Sequence, residues 1–337
     1  MYKNELGKTG LMVTPVGLGG IPLQRLSQEE ANEVIRECKY QGINFIDTAN
    51  GYTVSESYIG NALDEIGREN FIIATKAMGY KYEDMKAYIE KSLQDMHLEY
   101  IDLYQVHNCS KEEQFEQLMA EDGGMKALLE AKEAGKIKHI GITSHSVDLM
   151  KKFVEMDVFE TIQFPYNIVE QQIVEVFKRA KELGRGIICM KPLAGGAISN
   201  GDIALRYIMS EDLVTVTIPG MDSADQVRNN VQSVFHAGRL TETDNKEIEK
   251  IRADLGNDFC RRCGYCKPCP QGIDIPGMFL FEGYASRYGL KDWAKARYSS
   301  LEVNASDCVE CGLCESKCPY ELPIREKLKK VVEVFAD

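Results

Sequence analysis

Residues 71–107 read FIIATKAMGYKYEDMKAYIEKSLQDMHLEYIDLYQVH, and their pattern decides the fold. A short apolar run (71–76) is followed by a stretch with apolar residues at helical spacing (83–96), then by a second apolar run (101–107). Strands covered by helices on both faces read as such near-continuous runs. The same unit recurs on either side. Strands are expected at 13–19, 44–49, 71–76, 101–107, 138–144, 161–166, 186–192 and 214–219. Helical stretches are expected at 27–40, 56–66, 83–96, 124–134, 147–155, 169–183 and 223–237. Eight strands alternating with helices over about 225 residues predict an α/β fold, a (β/α)8 TIM barrel. A doubly wound open sheet is the competing reading. The glycines at Gly17, Gly19 and Gly20 do not support it, because a dinucleotide fingerprint leads directly into a helix and here Ile21–Pro22 follows.

Local signals agree with the barrel. Ser27 and Glu30 form a capping box at a helix start, and Gly42, Gly135 and Gly184 close helices. Residues 5–13 read as a hairpin with a glycine turn that could plug the barrel bottom. A further helix is expected at 243–255, which puts the domain boundary near 256/257: a barrel domain, 1–256, and a second domain, 257–337.

Eight of the eleven cysteines fall in that second domain, as Cys260, Cys263, Cys266, Cys269 and as Cys308, Cys311, Cys314, Cys318. Each group ends in Cys-Pro, at Pro270 and Pro319. The second group has the C-x2-C-x2-C-x3-C-P spacing of two-cluster ferredoxins, and the first is one residue shorter at its last gap. Structural zinc sites take two C-x2–4-C pairs separated by a longer stretch, and one tetrahedral ion cannot easily use four cysteines at intervals of three. The expectation is two 4Fe–4S clusters, with zinc as the alternative. The expected sharing is Cys260, Cys263, Cys266 and Cys318 on one cluster, and Cys308, Cys311, Cys314 and Cys269 on the other. The 37 residues between the groups carry helical patterns at 279–288 and 292–300, so the domain should be an α-helical, ferredoxin-like variant. Tyr284, Tyr288, Trp293 and Tyr298 are expected to pack against the clusters or the barrel.

Composition is that of a globular chain, 44% hydrophobic and 27% charged. The net charge is −12, and residues 257–337 carry twelve basic and twelve acidic residues, so the acidic excess lies in 1–256. An acidic body does not suit nucleic acid, whose affinity rests on neutralising phosphates. No apolar run approaches the ~20 residues that span a bilayer. The polar first residues do not read as a secretory leader, so the expected location is cytoplasmic.

In such a barrel, chemistry sits at the C-terminal ends of the strands. Those ends are polar here: Asp47 with Tyr52 five residues on, then Lys76, then His107. Each alone has a structural explanation as a cap, a loop anchor, a surface group or a core histidine. Together, on three successive strand ends, they suit carbonyl reduction, where an acid must protonate the forming alkoxide. A buried ammonium at Lys76 would make the Tyr52 phenol more acidic, Asp47 would hold Lys76, and His107 would orient the carbonyl oxygen.

NFIDTANGY (44–52), ATK (74–76) and YQVHN (104–108) resemble the aldo-keto reductase superfamily, and its Asp–Tyr–Lys–His tetrad maps onto Asp47, Tyr52, Lys76 and His107. The resemblance runs from the N-terminal hairpin to about residue 236. Joined to the cysteine-rich tail, the chain resembles the bacterial and archaeal subfamily with a C-terminal ferredoxin-type domain. The resemblance implies NADP(H), with NAD(H) as the alternative, across the barrel mouth. It implies that Ser144, His145 (where relatives often carry Asn) and Gln163 meet the carboxamide, that Tyr166 stacks on the nicotinamide, and that Gly19 and Gly20 leave it room. It further implies that Lys191, Pro192 and Leu193 cover the pyrophosphate, and that Gly220, Met221, Asp222, Gln226, Asn229 and Asn230 meet the adenosine end. Asp222 departs from the Ser of many relatives and would repel a 2′-phosphate, with Arg228 as a candidate to compensate.

The implied activity is an NAD(P)H-dependent oxidoreductase acting on a small-molecule carbonyl substrate. Hydride moves two electrons and cubane clusters pass one, so the clusters are read as electron-transfer or structural centres, with a redox protein as a candidate partner. The alternative is a nucleotide-sensing regulatory module that docks a redox partner through its cluster domain. The family's long C-terminal substrate loop is missing, which suggests the cluster domain as a roof over the site.

Overall fold

The computed structural model describes residues 2–235, 240–256, 258–262, 264–318 and 320–336. Cys263, Pro319, residue 257 at the expected boundary and residues 236–239 lie outside the described residues. The chain forms two compact units: Met1–Leu193 with Asn200–Leu240, and Ala194–Ser199 with Thr241–Asp337.

The first unit is an eight-stranded parallel barrel. Its strands are β1 (Leu18–Gly19), β2 (Phe45–Asp47), β3 (Ile72–Ala77), β4 (Ile101–Val106), β5 (Ile137–Thr143), β6 (Thr161–Pro165), β7 (Gly186–Met190) and β8 (Val216–Ile218). Each pairs in parallel with the next. The ring closes between β8 and β1 through bridges Val16↔Thr217 and Gly19↔Gly220, with Gly17 N donating to Thr217 O (2.8 Å) and Gly19 N to Pro219 O (2.9 Å). Closure this tight needs glycine at position 19, where a Cβ would stand 2.7 Å from Ile218 O. All six residues of β4 are buried, the signature of strands covered on both faces.

Helices α1 (Gln28–Tyr40), α2 (Ser55–Ile66), α3 (Tyr82–Asp95), α4 (Glu112–Met119), α5 (Gly124–Glu133), α6 (Val147–Val154), α7 (Val174–Leu183), α8 (Gly201–Ser210) and α9 (Ala224–Phe235) separate the strands. The Ser27–Glu30 capping box is present: Glu30 N donates to Ser27 Oγ (3.3 Å) and Ser27 N to Glu30 Oε2 (2.7 Å). Gly184 ends α7 in the left-handed region, φ 73°. The N-terminal hairpin pairs Asn4 with Val13 and Glu5 with Met12. It drives Leu6, fully buried, into the barrel core with Phe45, Ala74, Leu103, Ile188 and Val216, and a Cβ at Gly7 would collide with backbone at the start of β7. The hairpin therefore seals the end of the barrel opposite the strands' C-termini. Helices α4 and α8 have no counterpart among the expected stretches, and α7 begins five residues later than expected.

The second unit is helical: α10 (Glu242–Gly256), α11 (Ile275–Ser286), α12 (Lys291–Ser299), the short α13 (Leu313–Ser316) and α14 (Ile324–Phe335). Its core gathers Met278, Phe279, Ile324, Leu328, Val331 and Phe335, with cysteine side chains packed against it. The aromatics of the tail pack on one another. Tyr284 meets Trp293 edge-on at 4.9 Å, Tyr298 stacks on Phe335 at 4.4 Å, and the Arg297 guanidinium lies 3.6 Å over the Trp293 ring. By compactness α10 groups with this unit.

Candidate active site and cluster site

Parallel pairing in register brings three strand ends to one level: Asp47 pairs with Ala74, and Lys76 with Gln105. Side chains two residues apart share a face, so Asp47, Lys76, Gln105 and His107 all project from the inner wall toward the mouth. Lys76 is 1% and Asp47 2% exposed, and a buried ammonium of this kind requires partners. It has two: the Asp47 carboxylate through Oδ2, and Thr48 O at 2.7 Å. The other carboxylate oxygen, Oδ1, accepts from Gln105 Nε2 at 3.0 Å.

Tyr52 sits in the turn after β2, held by Tyr52 N donating to Ala49 O (2.9 Å) and Ser55 N donating to Tyr52 O (2.8 Å). The Lys76 ammonium lies 5.2 Å from the centre of its ring. His107, directly after β4, meets the same ring edge-on at 5.9 Å and 87°. The four tetrad positions thus gather around one point. Burial, reinforced by the charges of Lys76 and Lys191, pushes the His107 imidazole from its usual 6.5 down to about 3. It is neutral at physiological pH and can donate or accept a hydrogen bond there, but it is not a general acid.

A second polar network runs beside it. His145 Nδ1 bonds Asn108 Oδ1 (2.9 Å), and its Nε2 lies 3.2 Å from Lys191 Nζ. Since Asn108 Oδ1 only accepts, Nδ1 carries the proton and Nε2 accepts from the ammonium. Ser110 Oγ bridges Asn108 Oδ1 (2.7 Å) and Ser144 Oγ (3.2 Å). Ser144 follows β5, Tyr166 follows β6, and Lys191, Pro192 and Leu193 follow β7. Gln163, on β6, is buried, and its Oε1 has no partner among the described residues. Gly20 N donates to Asp47 O (2.8 Å), and a Cβ there would stand 2.9 Å from Ser55 Oγ.

Gly220 and Met221 follow β8. Asp222, Gln226, Asn229 and Asn230 recur at one-turn spacing into α9. Asp222 N donates to Gln226 Oε1 (2.9 Å), and the Asp222 carboxylate pairs with Arg25. Arg228, the residue expected to compensate Asp222, instead pairs with Glu37 (3.2 Å) and Asp225. Arg25 was missed because its partner lies 197 residues away. Gln105, Asn108 and Ser110 were also missed, although Gln105 stands two residues before His107 and so on the same strand face.

In the second unit, Cys269 lines one cavity together with Cys308, Cys311 and Cys314, walled by Ile273, Ile275, Val309 and Leu328. A thiol from the first group thus joins three of the second. Burial raises the Cys314 thiol above its usual value. Cys266 is buried and Cys260 and Cys318 half-buried against the same core, while Cys260 also lines a more polar cavity with Arg262 and Lys327. Among the described residues no three candidate ligands converge on a single ion. A cubane does not require that, because each iron takes its own thiolate.

The sequence model described as "Aldo/keto reductase family" matches residues 15–202 and 198–253, and that described as "4Fe-4S dicluster domain" matches 259–323. L-galactose dehydrogenase of Arabidopsis thaliana is 27% identical over 300 residues, covering 74% of this chain and 93% of that protein. The aldo-keto reductase YhdN of Bacillus subtilis is 32% identical over 219 residues, covering 58% of this chain and 64% of that one. The holo form of the aldo-keto reductase AKR11C1 from Bacillus halodurans superposes with a TM-score of 0.64 at 26% identity, covering 74% of this chain and 96% of that one. The aldo/keto reductase match implies a nicotinamide cofactor, and the dicluster-domain match a 4Fe–4S cluster. No described helix is long and apolar enough to cross a membrane. This chain belongs to the aldo/keto reductase family: it is an oxidoreductase on a (β/α)8 barrel, with a 4Fe–4S domain at its C-terminal end.

Proposed function

We propose that this oxidoreductase reduces aldehyde or ketone carbonyls, with Tyr52 giving the proton and the Lys76–Asp47 pair making that proton available. One observation carries the reading: a buried ammonium, gripped by Asp47 and Thr48 O, faces the Tyr52 ring at 5.2 Å. When bound there, a nicotinamide would supply the hydride that the carbonyl carbon takes up. The Tyr52 O–H donates its proton to the carbonyl oxygen, and the ammonium stabilises the charge left on the phenol oxygen. Neutral His107 donates an N–H to the same oxygen and orients it.

The residues at the mouth suit that cofactor. Gln163 Oε1, buried and without a partner among the described residues, is an acceptor of the kind a carboxamide NH2 needs. Ser144 and His145 would hold the other side of the carboxamide, Tyr166 would stack on the ring, and Gly19 and Gly20 would leave it space. Lys191, Pro192 and Leu193 would lie along the pyrophosphate. Gly220, Met221, Asp222, Gln226, Asn229 and Asn230 would meet the adenosine end. NADP(H) is the preferred form and NAD(H) the alternative: with Arg25 balancing Asp222, the carboxylate no longer opposes a 2′-phosphate.

Two 4Fe–4S clusters are proposed, one on Cys269, Cys308, Cys311 and Cys314 and the other on Cys260, Cys263, Cys266 and Cys318. The first set has four thiols around one apolar-walled cavity. Their chemistry is one-electron transfer, which suits a redox protein partner.

The test is anaerobic: mix the reconstituted protein with NADPH or NADH and a panel of aldehydes, ketones and quinones. Carbonyl-dependent oxidation of the nicotinamide is expected. Bleaching of the clusters by the nicotinamide alone, with every carbonyl inert, would overturn the reading.

A further inference from the structure

We infer that Gln105 is a positioning residue of the proton donor, setting the direction of the Asp47 charge and through it the place of the Lys76 ammonium; the inference rests on Tyr52 being the acid. Gln105 is 0% exposed, and its Nε2 donates to Asp47 Oδ1 at 3.0 Å. A carboxylate admits only the NH2 end of the amide, so the donor role follows from chemistry as well as from the coordinates. The amide's Oε1 is buried without a partner among the described residues, so the bond to Asp47 is what the side chain achieves there.

An apolar residue would fill the same space without leaving a buried acceptor unmet, which makes core filling a poor account of an amide. The neighbouring strand makes room for it. Gly141 pairs with Gln105 across β4 and β5, and a Cβ at 141 would stand 2.2 Å from Thr161 Oγ1 and 3.0 Å from Gln105 Cγ. With Oδ1 occupied by Gln105, Oδ2 is left for Lys76, and the carboxylate is fixed by a donor on each oxygen. Without the amide, the whole negative charge falls on Lys76, draws the ammonium toward Asp47 and weakens its field at Tyr52. Gln105 acts through Asp47 and touches no reacting atom.

The test compares five full-length proteins: wild type, Tyr52→Phe, Gln105→Met, the double variant of those two, and Gln105→Glu. Subtracting each Tyr52→Phe titration of tyrosinate absorbance from its parent isolates one phenol and needs no turnover. The Tyr52 midpoint is expected to rise by up to about one pH unit in Gln105→Met, because an ammonium drawn toward Asp47 stabilises the phenolate less. kcat is expected to fall about tenfold while KM and nucleotide affinity stay unchanged. In Gln105→Glu, turnover should recover as the pH falls, because a protonated glutamic acid donates as the amide did. An unshifted midpoint with kcat within about twofold of wild type, or a Gln105→Glu variant with no low-pH recovery, overturns the inference. If Tyr52→Phe itself keeps full turnover, the proposed function fails, whereas the phenol titration still reports on Gln105.

Discussion

Glu160 ties two barrel strands together before β6 begins. Its Oε2 bonds His139 Nδ1 (2.7 Å), and its Oε1 accepts from Lys132 Nζ (2.6 Å) and Ile140 N (3.1 Å). Partial burial alone would raise this carboxyl, but those three hydrogen bonds outweigh it and hold it near 2, below its usual 4.5. Because the folded value is the depressed one, the stabilisation is complete above about pH 4.5 and is lost as the pH falls toward 2. Glu160→Gln should therefore lower Tm at neutral pH, and the gap from wild type should close across that acid window; a gap independent of pH would refute this. At the same scale, the sequence exposed Asp47, Tyr52, Lys76 and His107 because they are polar residues at the ends of apolar runs. Gln105 and Arg25 stayed hidden because their roles exist only through partners on other strands and loops.

Elements with a strong local code were legible before their packing was known. α1 begins where Ser27 and Glu30 predict, because both halves of a capping box lie within four residues. Ser27→Ala should cost about 1 kcal/mol and lower Tm by about 2–4 °C, measured by thermal unfolding in circular dichroism. No loss of stability would mean that the cap is redundant with the packing of α1. The eight barrel strands were legible within one to five residues at their ends because burial on both faces leaves uninterrupted apolar runs. α8 was not legible because glycines at 195, 196 and 201 blur its start. α14 was missed although Ile324, Leu328, Val331 and Phe335 carry helical spacing.

Across the whole molecule, one chain carries a barrel suited to hydride chemistry and a helical unit built around thiols. With two clusters, about eight irons per chain are expected after anaerobic reconstitution, and Cys311→Ser should remove about half of them. About four irons in the wild type would leave room for one cluster only. The central claim concerns the barrel: the Tyr52 phenol, beside the Lys76 ammonium, is the acid of the reaction. The most direct measurement is single turnover of a reducible carbonyl by Tyr52→Phe saturated with NADPH, compared with wild type. A rate lower by about 100-fold or more, with nucleotide affinity unchanged, is the predicted result. A rate equal to wild type would contradict the account.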